Sequence, residues 1–189
     1  MVWYEWIYKG RGLRVVGGEE VNKAPVNPKK SDTTWSTPQA FFDLLDAEFH
    51  FTLDVAALPD SAKCAKYFTP ETDAMTQDWT QDTFWMNPPY GRGVNVYAWV
   101  EKAFMSWVGG GNGVLLLPAS CDTKWFHDFC MKATEIRFVK DRLWFSLNGV
   151  AQRANHASIV VVFTGAFRWA NGPGRISFME NGRKARSTT

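Results

Sequence analysis

Thr83-Phe84-Trp85-Met86-Asn87-Pro88-Pro89-Tyr90-Gly91 is the stretch from which the rest of the chain is read. Its first four residues favour a short, apolar β-strand. Pro88 and Pro89 then stop the strand, because each has a fixed φ and no N–H to donate. Asn87, ahead of a proline, is driven to an extended backbone. The Asn87 side-chain amide and the Pro88 carbonyl become rigidly held acceptors, Pro89 stiffens the ledge, and the Tyr90 ring lies close enough to cover a flat substrate. At the carboxyl end of a parallel sheet, this is where open α/β folds bind ligands. Two acceptors beside an aromatic face suit a planar exocyclic amine. Accepting hydrogen bonds from both N–H groups draws the nitrogen lone pair out of conjugation, so positioning and directed dipoles supply the acceleration without a covalent intermediate.

Outward from that ledge, strands and helices alternate. Ser36-Thr37-Pro38 is a helix start, with a capping side chain ahead of a proline in the first turn. Phe41, Leu44, Leu45 and Phe49 follow at helical spacing. Residues 51–56 predict a strand ending near Asp54, bounded by Pro59-Asp60-Ser61. Downstream, 97–107 predict a helix stopped by Gly109-Gly110-Gly111, and 113–117 a strand buried on both faces. A helix over 123–131, a strand over 135–139 and a uniformly apolar strand over 158–163 complete the pattern. The order predicts an α/β domain with a mainly parallel sheet flanked by helices.

Composition narrows the class. The chain's 189 residues suit one compact unit. Hydrophobic residues at 46% and charged residues at 21% exclude a disordered, collagen-like or coiled-coil chain. No apolar run approaches the roughly 20 residues of a bilayer span. The first residues lack the basic flank and apolar stretch of a secretory signal. A cytosolic protein with no membrane partner is the expectation. Cys64, Cys121 and Cys130 show no C-x-x-C spacing, so free thiols are expected, with no metal site. The net charge of +2 is uneven: residues 1–30 carry +3, 164–189 carry +4 and 31–163 carry −5. Basic ends around an acidic centre suit a polyanion gripped at the rim of a pocket, and equally suit two solvated tails. Glycines, prolines and lysines over 9–34 divide the chain into an arm or linker (1–34), a domain (35–165) and a frayed basic tail (166–189).

Asn87-Pro88-Pro89-Tyr90 resembles the amino-methyltransferase signature (Asp/Asn/Ser)-Pro-Pro-(Tyr/Phe). Residues 35–163 are similar, more specifically, to the phage-encoded DNA N6-adenine methyltransferases. The matching pieces are Trp35-Ser36-Thr37-Pro38, Phe51-Thr52-Leu53-Asp54-Val55-Ala56-Ala57, Ala62-Lys63-Cys64, Asp78-Trp79 and Asn87 to Gly91. Leu115-Leu116-Leu117-Pro118-Ala119, Asp122-Thr123-Lys124-Trp125-Phe126-His127 and Arg142 to Phe145 follow in order.

The resemblance implies a Rossmann-like class I methyltransferase using S-adenosylmethionine. The implied acceptor is adenine N6 in double-stranded DNA, with the base rotated out of the helix into the pocket. It also implies no obligatory protein partner and a place in the cytoplasm of a bacterial host. Asn87, Pro88, Pro89 and Tyr90 take the catalytic roles. Thr37, Pro38, Asp54, Ala56, Asp78, Trp79 and Asn87 become cofactor contacts, Asp54 near the methionine end and Asp78 accepting from the cofactor's adenine amine. Asp73 is a candidate for the ribose. Arg92, Lys124, Trp125, His127, Arg142 and Arg153 stand as DNA contacts, with Arg137 and Lys140 as further phosphate grips.

Two departures qualify the match. Val55-Ala56-Ala57 replaces the glycine-rich loop that normally follows the first strand's acid. Asn87 follows Asp54 by only 33 positions, short for two full βα units, so elements between the first and fourth strands are abbreviated. Other readings stay open at this point: an RNA base or a protein glutamine amide as acceptor, or a non-catalytic nucleic-acid-binding module.

Overall fold

The computed structural model describes residues 35–90, 93–147, 150–167 and 174–182. The expected arm over 1–34 and Arg92 lie outside the described residues. In chain order the elements are β1 (Trp35–Ser36), α1 (Gln39–Phe49), β2 (Leu53–Asp54), β3 (Lys66–Tyr67), β4 (Thr83–Met86) and α2 (Val96–Val108). They continue with β5 (Asn112–Pro118), α3 (Lys124–Asp128), β6 (Glu135–Val139), β7 (Trp144–Leu147), β8 (Val150–Arg153), β9 (Ser158–Phe163) and β10 (Arg175–Met179).

Seven strands form the main sheet, in the order β10-β6-β9-β5-β4-β2-β3. All run parallel except β9, which is antiparallel to both β5 and β6. The mixed α/β class with a mostly parallel sheet is the one the pattern predicted. Its cause is visible in β9, whose six residues are all buried and so demand cover on both faces. Leu115, Leu117, Ile159 and Val161 face one core, where Phe104 and Trp107 of α2 and Trp125 of α3 close over them. Their neighbours Val114, Leu116, Val160 and Val162 face the other, against Phe41, Phe42 and Leu45 of α1. Gly113 has no room for a side chain, since a Cβ there would meet the Phe84 ring at 2.2 Å across the β4–β5 pair.

Residues 55–82, all described, hold β3 and one 3-10 turn (Ala74–Thr76) in place of helices. The segment is as short as its spacing required. β2 keeps only two of the residues expected in it, because the Asp54 carboxylate takes the Ala56 N–H and turns the chain. The helix expected over 123–131 ends at Asp128. Phe129 leaves helical dihedrals (φ −127°) and packs its ring on Phe104 at 5.4 Å.

Two features correct the sequence reading. Residues 175–179 do not fray: β10 pairs with β6 over five residues, and Met179 packs on the α1-side core. Glycines and charges on either side hid that short strand. The second is a separate antiparallel sheet, β1-β7-β8, which the alternation of long apolar elements did not announce. Its signal was the Asn148-Gly149 pair, a strong hairpin dipeptide between two short β-favouring runs.

The order of the main sheet locates the ligand side. From β2 the chain moves outward to β3, then crosses back to β4 on the other flank and continues to β5. Direction therefore reverses between β2 and β4. The crevice beyond their carboxyl ends is the place where open sheets bind ligands.

Candidate active site at the switch point

The loops that leave β2 and β4 meet the β1–α1 junction in one cleft. Thr37, Asp54, Ala56, Lys63 and Asn87 line it, above Trp85. Thr37, Asp54, Ala56 and Asn87, expected from sequence to share a pocket, are thus brought together. Pro38 sits beside Thr37 as the N-cap of α1, its carbonyl accepting the Phe41 and Phe42 N–H groups at 3.0 and 3.1 Å.

Asp54 is 3% exposed. Its two oxygens accept from the backbone N–H of Ala56 at 3.2 Å and of Lys63 at 3.0 Å. Burial pushes its carboxyl pKa up, while those two N–H groups and the Lys63 charge pull it back. The carboxylate so organises the alanine loop that replaces the usual glycines. Asn87, at the end of β4, donates its Nδ2 to Thr37 Oγ1 at 3.2 Å.

Pro88 is buried, and Pro89 and Tyr90 are exposed. The β4–β5 ladder stops at Met86 opposite Leu115, since the prolines have no N–H to extend it. The Tyr90 hydroxyl instead donates to the Leu116 carbonyl at 2.8 Å. That end of the side chain is buried, which holds the phenol well above its usual pKa, while the residue as a whole is 39% exposed. His156 meets the ring edge-on, with centroids 6.4 Å apart at 62°. Tyr90→Phe should keep the ring in place and lose one tether, about 1 kcal/mol. The urea midpoint of that variant measures the loss.

Residues 25–188 match the family described as DNA N-6-adenine-methyltransferase (Dam). The chain belongs to the Dam family. It is 34% identical over 146 residues to the DNA N-6-adenine-methyltransferase of Haemophilus phage HP1 (strain HP1c1), covering 72% of this chain and 82% of that protein. It is 28% identical over 148 residues to the DNA N-6-adenine-methyltransferase of Escherichia phage T1, covering 77% of this chain and 61% of the other. The Dam match takes in every residue of the cleft and also β10.

The other sequence-nominated residues of this Dam chain lie elsewhere. Asp78 and Trp79 precede β4, at the amino ends of the strands, opposite the cleft. A Cβ on Gly111, just before β5, would touch the Trp79 carbonyl at 2.8 Å. Trp79 is fully buried, its Nε1 donates to Ala74 O at 3.0 Å, and it packs on Phe84 at 5.3 Å. Asp78 is exposed and accepts the Thr80 N–H at 2.9 Å, which depresses its pKa and makes it a turn residue. Asp73, with φ +47°, caps the 3-10 turn through Met75 N–H.

Among the expected DNA contacts, Trp125 is core and 8% exposed. Lys124 and His127 are exposed, Lys124 paired with Asp128. Arg137 is gripped by both oxygens of Glu48 at 2.6 Å and by Glu135 at 2.9 Å, and Lys140 pairs with Glu180 at 3.2 Å. Arg153 stands on β8, exposed along its whole length. Arg142 Nη1 is buried without a hydrogen-bond partner among the described residues. Its charge, after burial, lowers the pKa of His156.

Sequence reasoning missed Lys63 as a cleft residue, although Ala62-Lys63-Cys64 is one of the matching pieces, and His156 as the neighbour of Tyr90, which carries no local signal. Cys64, Cys121 and Cys130 are free thiols, and burial pushes Cys64 up to about 12. No helix among the described residues is long and apolar enough to cross a membrane.

Proposed function

We propose that this chain transfers a methyl group from S-adenosylmethionine to N6 of an adenine rotated out of DNA, on a Rossmann-like class I scaffold. Membership of the Dam family makes it an adenine-specific DNA methyltransferase. The cofactor, the extruded base and the roles of individual residues complete the proposal. The observation that carries it is the meeting of Asn87 and Asp54, from the ends of β4 and β2, in one cleft where strand order reverses. A lone antiparallel strand between β5 and β6 supports the class I reading.

The residues fit the cofactor's methionine end. A buried carboxylate and a threonine hydroxyl face the space where an ammonium and a sulfonium would lie, and Ala56 keeps the loop close. Bound there, the cofactor supplies an electrophilic methyl group. Asn87 Oδ1 and the Pro88 carbonyl would accept hydrogen bonds from the two N6–H groups and turn the nitrogen lone pair toward that methyl. As the N–C bond forms, the S–CH3 bond breaks with its electron pair on sulfur, and the methylated nitrogen sheds one proton to water. Tyr90, tethered through its hydroxyl, offers its exposed face to the flipped ring. Asp78, Trp79, Trp125 and Arg137 take no part, because they are core, turn or ion-pair residues.

Arg153 and Arg142, on and before the β7–β8 hairpin, are the proposed phosphate contacts, with Lys124 and His127 beyond β5. The proposed catalytic domain, expected over 35–165, extends to β10, which pairs with β6. The basic segment 1–30 and the end of the tail are proposed to add phosphate contacts. Incubation with tritium-labelled cofactor and separate DNA, RNA and protein pools tests the reading. Label is expected in DNA, as N6-methyladenine; label in RNA or protein in its place would overturn it.

A further inference from the structure

We infer that Lys63 takes the carboxylate of the cofactor's methionine end, as the positive counterpart of Asp54. The inference rests on the methyl-transfer reading above and gives that cleft a second charged contact. The methionine end carries an ammonium and a carboxylate on one carbon, so a site selective for it needs one charge of each sign. Asp54 supplies the negative charge. Among the described residues that line the cleft, only Lys63 carries a positive one.

Lys63 acts at two separate atoms. Its backbone N–H donates to Asp54 at 3.0 Å and ties the loop after β2 to the end of that strand. Its side chain runs to the start of α1, where Nζ donates to Gln39 Oε1 at 2.9 Å. Gln39 stands two positions after Thr37, so the ammonium reaches the β1–α1 wall of the cleft. The Gln39 amide can face only one way. Nζ only donates, and the Asp43 carboxylate, 2.7 Å from Gln39 Nε2, only accepts. Gln39 takes one of the three Lys63 N–H donors. No carboxylate among the described residues pairs directly with Nζ. Burial lowers the pKa of the ammonium, and the charges of Asp54 and Asp43 pull it back. The first turn of α1 holds no acid and no side-chain cap, so its N–H groups add to the positive potential at that wall.

S-adenosylmethionine and its decarboxylated form differ by the group in question. Calorimetric titration of the unsubstituted protein should show S-adenosylmethionine bound about 10- to 100-fold tighter, the usual worth of a hydrogen bond between charged groups. Lys63→Met removes the ammonium and keeps both the apolar stem and the N–H on Asp54. It should lose about 10- to 100-fold for S-adenosylmethionine and less than about twofold for the decarboxylated form. Lys63→Arg should keep most of the preference. An equal loss for both ligands overturns the inference, because a merely structural lysine would weaken the two alike. So does an unsubstituted protein that binds both equally, a result that needs no variant to fold. If S-adenosylmethionine binds and Lys63→Met retains the full preference, the inference fails and the cofactor reading stands. If the unsubstituted protein binds neither ligand, the cofactor reading fails and takes the inference with it.

Discussion

Asn87→Ala is expected to reduce kcat for adenine methylation by about 10²–10³-fold, the usual cost of losing one preorganised group that meets developing charge. The acceptor that withdraws the amine lone pair disappears, while the Pro88 carbonyl and the Tyr90 ring remain. Folding should survive. Asn87 is only partly buried, and its hydrogen bond goes to Thr37, so the lost contact is worth about 1 kcal/mol. Cofactor affinity should change little, because Asp54 and its two backbone donors do not depend on Asn87. Single-turnover rates with saturating DNA, beside calorimetric titration of the cofactor, separate the two effects. A variant that methylates at near-normal speed would remove the mechanism.

Trp79→Ala should act on stability and leave chemistry aside. The indole is fully buried, packed on Phe84 and Trp99, with its N–H on the Ala74 carbonyl. Truncating such a side chain costs about 3–5 kcal/mol, through lost burial and the cavity left behind. That is a large part of the roughly 5–15 kcal/mol that holds a domain of this kind together. The urea midpoint should fall steeply, while folded protein at low temperature keeps its cofactor affinity. Asp78→Asn should change neither, since its carboxylate serves a turn at the opposite end of the sheet from the cleft. Loss of cofactor affinity in Trp79→Ala at unchanged stability would restore the role that its place beside Asp78 suggested.

These two tryptophans show how far the site was legible. Trp79 and Trp85 both precede turns and both stand near residues of the signature. One lies at the amino edge of the strands and the other beneath the cleft, and only strand order separates them. Arg137 and Arg153 likewise look alike as basic residues among aromatics. Glu48, 89 residues away in sequence, closes on Arg137, and no acid closes on Arg153 among the described residues.

The amino-acid sequence on its own determined the features that arise within a few residues of chain. The double proline ends β4, the uniformly apolar runs require a sheet covered on both faces, and the 33-residue spacing leaves no room for two complete helices. Such features follow from dihedral limits, missing donors and burial, all of which act locally. Tertiary structure alone decided which polar groups in and beside the cleft pair with one another. Thr37 meets Asn87 and the Tyr90 hydroxyl meets Leu116 only after β4 lies beside β5 and β1 has found β7. Strand order is set by long-range packing of two cores, and so the partners of a polar group are chosen by elements far from it along the chain.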